Sequence, residues 1–246
     1  MQFERHHFAS LESTQDEALR LLHQGRAQDG TVVTADVQTK GRGRQGRRWE
    51  TDLLAETTPN LAATLVCQLP EGRQAGAYSL LTAIALHAAI APFLVEFARD
   101  ALQIKWPNDL LLDGMKCAGI LLESPEPGWL LIGTGVNIAH APRDRACLYG
   151  AGGTAPDLTR DALLDAYLVR FASYREAYVG SAQGLADIVT IWMRHAYGIG
   201  QDMRIRTGNT EFHAVFEGLD PDTGACCARH ADGTVRLIHA GEVFFG

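Results

Sequence analysis

Five cations fall within residues 40–49, KGRGRQGRRW, of a chain whose formal net charge is −7. Three glycines, Gly41, Gly43 and Gly46, are interleaved with them. An arginine guanidinium is a planar, permanently charged fork that matches phosphate and carboxylate oxygens. Glycine lets the main chain approach a ligand closely. A cationic, glycine-rich loop on an acidic protein is therefore suited to holding a polyanion, nucleotide phosphate first. A solvated charged turn is the alternative, because charge runs are common on surfaces. The spacing Gly41-x-Gly43-x-x-Gly46 also matches a dinucleotide fingerprint, but that motif needs a helix opening at its third glycine. The following RRWETDLLAETTPN has no helical periodicity.

Four further groups have residue types that could do chemistry. In KWPND, residues 105–109, Pro107 turns Trp106 away from helical geometry; Asn108 and Asp109 then either bond the local backbone or face a ligand. Lys116 follows a predicted turn and precedes the apolar run CAGILLE, where Gly119 sits in a strand interior. Glycine is costly there unless another group comes close, so Lys116 reads either as an anion-binding lysine or as one on a solvated strand face. Ser13, Thr14 and Gln15 open a helix, whose N–H groups can be capped by a hydroxyl or can hold a ligand oxygen. GTGVN, residues 133–137, ends a strand with Asn137, a side chain able both to donate to and accept from a heterocycle edge.

These groups need a scaffold, and composition bounds it. The 246 residues are 46% apolar and 21% charged, enough for one sizeable globular domain and a small one. The acidic balance argues against general nucleic-acid binding. The N-terminus has no apolar signal core. Residues 74–95 have no formal charge, yet they are Ala-rich and carry polar side chains. A span needs about 20 strongly apolar residues, so this stretch is predicted to be a buried core helix. Five cysteines without a CxxC, and nine histidines without metal spacing, point to reduced thiols, a cytoplasmic setting and no zinc site.

LESTQDEALRLLHQG reads as a helix with Thr14 and Glu17 as a capping box and Gly25 as its stop. TVVTADVQ and LAATLVCQL read as strands on either side of the basic loop. Asp113-Gly114 between apolar runs predicts a hairpin that folds DLLL onto MKCAGILLE, and WLLIGTGVNIA a further buried strand. Helices are expected at about 159–179, capped by Thr159, and 182–196. Beyond Tyr197, short alternating segments separated by PDTG and ADG predict a small antiparallel β-barrel, with the boundary near Gly198–Gly200.

Taken in order, GRGRQGRRW, KWPND, KCAGILLE and GTGVN closely resemble the biotin–protein ligase family, with Ser13-Thr14-Gln15 matching its Ser-Thr-Asn-type element. The resemblance covers nearly the whole chain. It implies an α+β fold: a class II aminoacyl-tRNA-synthetase-like catalytic domain, a mixed sheet with helices, at 1–197, and a small C-terminal SH3-like barrel at 198–246. It begins at the catalytic domain, implying a monofunctional ligase that binds neither DNA nor membrane, as a monomer or homodimer. The implied reaction joins biotin and ATP into biotinyl-5′-AMP, with Mg2+ on the phosphates, and then acylates one lysine of a biotin carboxyl carrier protein. The resemblance gives Lys116, Arg42 and Arg44 the catalytic roles. It assigns Ser13, Thr14, Gln15, Gln38, Arg42, Gly43, Arg44, Lys116 and Gly119 to biotin. Gly41, Arg44, Trp49, Asn108, Lys116 and Asn137 fall to the nucleotide, and Asp109 to the acceptor lysine.

Three departures stand out. Gln15 replaces the commoner Asn, the segment after Trp49 is long and acidic with Asp52 and Glu56, and residues 140–158 align poorly. A lipoate or octanoate ligase or transferase is the nearest rival, but no Arg-Arg-x-x-Gly-Gly-Gly element occurs, and polar readers would be wasted on a plain acyl chain. A nucleic-acid module using the basic loop and a biotin binder without catalysis are the more distant alternatives.

Overall fold

A computed structural model describes residues 1–49, 59–150 and 158–245. The first sheet has strands β1 (Glu4–Leu11), β2 (Thr31–Gln38), β3 (Leu61–Gln68), β4 (Leu102–Lys105), β5 (Asp109–Leu112), β6 (Met115–Glu123) and β7 (Trp129–Val136), and helices α1 (Thr14–His23), α2 (Ala75–Ile90), α3 (Glu96–Asp100), α4 (Arg160–Gly180) and α5 (Gly184–Met193) accompany it. The second has β8 (Asp202–Thr207), β9 (Thr210–Leu219), β10 (Cys226–Arg229), β11 (Val235–Ile238) and β12 (Glu242–Phe245). The first sheet runs β1-β2-β3-β7-β6-β5-β4. Only the β1–β2 pair is parallel, so the sheet is mixed and the fold is α+β.

Local chemistry explains the elements that carry the site. Asp113 and Gly114 both have positive φ, 51° and 73°, the geometry a two-residue hairpin needs. They reverse the chain so that Asp109 pairs with Gly119 across β5 and β6. Helix α2 is apolar almost all round because it is packed on most sides, by α4, α5 and the sheet. With the turn after it, this segment is long and apolar enough to cross a membrane, but it is mostly buried inside the fold. The helix ends at Ile90 and a short turn through Pro92 follows.

Two expectations change. Helix α1 is capped by Ser13, whose hydroxyl accepts from the N–H groups of Gln15 and Asp16, and not by Thr14. Glu17 is paired with Arg20 one turn on, which removes it from a capping box. Strand β1 was not expected at all. As an edge strand with one neighbour it is only partly covered, so ERHHFASL has little of the apolar alternation that signals a strand.

The second sheet is antiparallel in the order β11-β10-β9-β8-β12. The chain reaches it by running beside β4, where the Ile104 N–H donates to His195 O and the Tyr197 N–H to Ile104 O. That covers the edge of the first sheet. Met203, Ile205 and Phe216 of the second sheet share one continuous buried cluster with α2, α4 and α5. The two sheets are therefore packed as one body, which lets the second contribute side chains to a site built on the first.

Candidate functional site

The basic loop is a tight excursion. The Gly43 N–H donates to Arg47 O at 2.7 Å, and the Trp49 N–H to Gly41 O at 2.9 Å. Gln45 and Gly46 take positive φ at its tip. Residues 47–49 continue as extended chain, so no helix starts at Gly46 and the dinucleotide reading falls. Asp52 and Glu56 lie outside the described residues.

The loop closes one side of a cleft of about 540 Å³, in the size range of small-molecule sites. Gly119 and Gly135, cross-strand partners on β6 and β7, form part of its wall. The Trp49 indole lies against both. A Cβ at Gly135 would be 2.4 Å from Trp49 Cε2, and one at Gly119 3.1 Å from Cζ3. The Lys116 ammonium is 5.8 Å from the indole centroid and 2.5 Å from Asp109 Oδ1. A side chain at Gly119 would meet Lys116 Nζ at 2.9 Å. The glycine in mid-strand thus makes room for both a lysine and a tryptophan.

A second part of the cleft is polar and buried. The Thr14 N–H and hydroxyl both donate to Gln38 Oε1, at 2.8 and 3.1 Å. The Thr64 hydroxyl of β3 lies 2.9 Å from Thr14 Oγ1 and 3.0 Å from Gln15 Oε1. Gln15 Nε2 donates to Leu131 O at 3.2 Å. Gly133 accommodates the long Gln15 side chain, since a Cβ there would be 2.7 Å from Gln15 Oε1. Buried polar atoms must be paired to be tolerated, and this network holds several fixed donors and acceptors at 0–8% exposure.

The cleft's lining carries seven cations, Arg42, Arg44, Arg47, Arg48, Lys105, Lys116 and Arg145, against three carboxylates, Asp109, Asp144 and Glu242. On a chain of net charge −7, this is a local reversal suited to a polyanion. Arg44 donates to Asn108 Oδ1 at 3.0 Å and to Gly241 O at 3.1 Å. Asn108 in turn donates to Ile120 O at 2.6 Å. Burial pushes the Arg44 guanidinium and the Lys105 ammonium below their ordinary values, with Asp109 opposing in both cases. Arg42 reaches the other way, to Asp16 at 2.7 Å and Glu123 at 3.2 Å.

The fold brings Ser13, Thr14, Gln15, Gln38, Arg42, Gly43, Arg44, Trp49, Asn108, Asp109, Lys116, Gly119 and Asn137 to the lining of this one cleft. Gly41 stands behind the wall, backed by Trp49 O and the Gln38 amide. The Ser13 hydroxyl is engaged as the helix cap. Asn137 Nδ2 donates to Ala146 O at 3.0 Å, which straps the following loop with one of the amide's two donors. Residues 151–157 of the segment 140–158 lie outside the described residues; Pro142, Asp144 and Arg145 of that segment reach the cleft.

Sequence reasoning missed Thr64, Lys105, Arg47, Glu242 and Phe244. A threonine amid the apolar run LAATLVCQ was a usable signal for Thr64, and Lys105 opens a motif already singled out. Glu242 and Phe244 had no local signal, because only the docking of the second sheet brings them to the cleft.

A buried polar chamber, a glycine wall and a cationic rim in one cleft make a site suited to a polar heterocycle and a polyanion together. The chain belongs to the biotin/lipoate A/B protein ligase family: the model of that family matches residues 7–134, and the biotin protein ligase C terminal domain matches residues 198–246. The chain is 38% identical to a biotin–acetyl-CoA-carboxylase ligase of Paracoccus denitrificans, over 97% of this chain and 99% of that protein. It is 32% identical to one of Mycobacterium tuberculosis, over 94% and 85%. Among solved structures, the biotin protein ligase from Aquifex aeolicus in complex with biotin and ATP superposes with a TM-score of 0.80, at 23% identity and 98% coverage of both chains, a likeness that shows the fold.

Proposed function

We propose that this chain is an ATP-dependent biotin–protein ligase acting on a biotin carboxyl carrier protein. The observation that carries the reading is the single cleft in which a buried amide-and-hydroxyl network and a rim of seven cations meet around Lys116. The Thr14, Gln15, Gln38 and Thr64 network reads the ureido ring, whose N–H and C=O groups need fixed partners. A plain acyl chain offers these polar groups no partner of its own, which disfavours lipoate or octanoate.

In the first step a biotin carboxylate oxygen bonds to the α-phosphorus of ATP and pyrophosphate leaves. Two anions must approach, so Lys116 and Arg44 neutralise them and stabilise the charge that builds in the transition state. Arg42 lends its charge to the carboxylate side, Gly43 shapes the loop by donating to Arg47 O, and Ser13 holds the start of α1 in place. Gly119 leaves room against β6 for the Lys116 and Trp49 side chains that meet the ligand. Trp49 stacks on the adenine, while Asn108 holds Arg44 toward the phosphates. Asn137 acts by fixing the adjacent loop, and Gly41 by anchoring Trp49. Residues 1–197 form the catalytic domain, and 198–246 complete the rim.

In the second step the acceptor lysine amine bonds to the acyl carbon, AMP leaves with the bonding pair, and the amine gives up a proton. Asp109, 2.5 Å from Lys116, orients that ammonium and attracts the incoming lysine. Among the described residues no three His, Cys, Asp or Glu side chains cluster as an all-protein metal cage. Magnesium enters as part of the nucleotide substrate, bound to its phosphates. The reaction takes place in the cytoplasm, where ATP and carboxylases are available.

The test is transfer: chain, biotin, Mg-ATP and a carrier domain are incubated together, and streptavidin reads the label. Label on the wild-type carrier, absent when its acceptor lysine is replaced by arginine, supports the reading; an unlabelled but otherwise competent carrier contradicts it.

A further inference from the structure

We infer that Glu242 is a positioning residue for the phosphate end of the nucleotide, acting through Arg47. The inference rests on the proposed ligase function for its substrate and on the geometry of β12 for everything else.

Glu242 begins the edge strand of the second sheet and is 6% exposed. A buried carboxylate is costly unless it is paired. Here one oxygen meets the Arg47 guanidinium of the basic loop and the other meets Arg206 of β8. The preceding residue continues the same contact, since Gly241 O accepts from Arg44. Arg42 is tied to Asp16 and Glu123 on the first sheet. The loop is therefore strapped at one end to the first sheet and at the other to the second, with Gly43 N–H to Arg47 O closing it between.

Two arginines share this one carboxylate, and that suits exchange. If Arg47 turns to a phosphate oxygen, Glu242 keeps Arg206, so no buried charge is stranded. If Glu242 is absent, Arg47 is a long, half-exposed side chain with nothing to hold it over the cleft. The carboxylate thus stands in for a phosphate before the nucleotide arrives, and keeps Arg47 and Arg44 in place to receive it.

The experiment uses the full chain with Glu242→Gln and Glu242→Asp, alone and in an Arg47→Met background. Biotin-dependent pyrophosphate release gives KM for ATP, KM for biotin and kcat separately. Losing one charge-assisted hydrogen bond should raise KM for ATP about tenfold in Glu242→Gln, with kcat and KM for biotin within about twofold and a smaller rise in Glu242→Asp. In the Arg47→Met background the Glu242→Gln change should add no further rise, which a merely structural role would not reproduce. Without ligand, trypsin should cut the loop after Arg44, Arg47 or Arg48 several-fold faster in Glu242→Gln. An unchanged or lower KM for ATP in folded Glu242→Gln, an equal rise in both backgrounds, or unchanged loop cleavage would overturn the inference. If Glu242→Gln does not fold, Glu242→Asp is judged on the same criteria. A wild-type chain without biotin-dependent release would defeat the functional reading instead, while the trypsin comparison would still test the latch because it needs no turnover.

Discussion

The Trp49 indole rests on the bare α-carbon of Gly135: a single added methyl would stand 2.4 Å from Cε2 and 2.5 Å from Cζ2 of the ring. The loop that carries the cations is thereby seated on β7, the strand that leads into Asn137, and the cleft takes its shape from that contact.

Gly135→Ala should push the indole off the glycine wall. Overpacking a fitted contact costs about 1–3 kcal/mol, and here the ring can move while the strand cannot. KM for ATP is expected to rise about tenfold or more, with a drop in Tm of only a few degrees. Steady-state kinetics and a thermal melt measure both. Wild-type KM for ATP in this variant would mean that Trp49 does not face the nucleotide.

Lys116→Ala should slow adenylation sharply and leave the fold intact. Removing one preorganised donor from a developing oxyanion costs about 10²–10³ in kcat. The stranded Asp109 is a quarter exposed, so water can solvate it and stability should change little. Single-turnover formation of the adenylate, followed with a circular-dichroism melt, separates the two effects. Turnover close to wild type would remove Lys116 from the mechanism.

Gly133→Ala and Thr64→Val should act on the biotin side alone. The new methyl at 133 would sit 2.7 Å from Gln15 Oε1, and valine at 64 takes away the hydroxyl between Thr14 and Gln15. Each leaves a buried polar atom short of a partner, worth about 1–3 kcal/mol. KM for biotin should rise about tenfold while KM for ATP stays within twofold. A rise in KM for ATP of the same size would place this network elsewhere in the ligand.

Stability should fall in mild acid through His87. Burial pushes this imidazole down to about 4, helped by the neighbouring His195, whose ring stacks at 3.8 Å; the bond to Leu102 O opposes the shift. His195 is also lowered, by burial and then by Arg194. A histidine kept neutral in the fold favours folding above its ordinary value of 6.5, and that contribution is lost as pH falls from about 6.5 toward 4. The loss from His87 alone is on the order of 3 kcal/mol once pH is below 4. Urea midpoints between pH 7 and 4 should show it, and His87→Phe should flatten the profile; an equally steep profile in that variant would assign the loss to other groups.

Much of this architecture was legible because the relevant signals are local. Asp113-Gly114 announces its hairpin through positive φ, the uncharged stretch before Val95 announces the core helix through composition, and Gly119 in mid-strand marks a close approach. Lys116 and Trp49 are the groups that fill that gap. The illegible parts depend on tertiary placement. Strand β1 is a half-covered edge and lacks apolar alternation. Ser13 took the cap because its neighbour Thr14 turns inward to Gln38. Glu242 comes near residues 40–49 only when two sheets share one core, and no spacing rule reaches across about two hundred residues.

The central claim is that this chain activates biotin with ATP, and pyrophosphate release measures that step directly. Release should require biotin, stop after about one equivalent per chain without a carrier because the adenylate stays bound, and become continuous when a carrier domain is added. Release that is absent, or that proceeds equally well without biotin, would contradict the account.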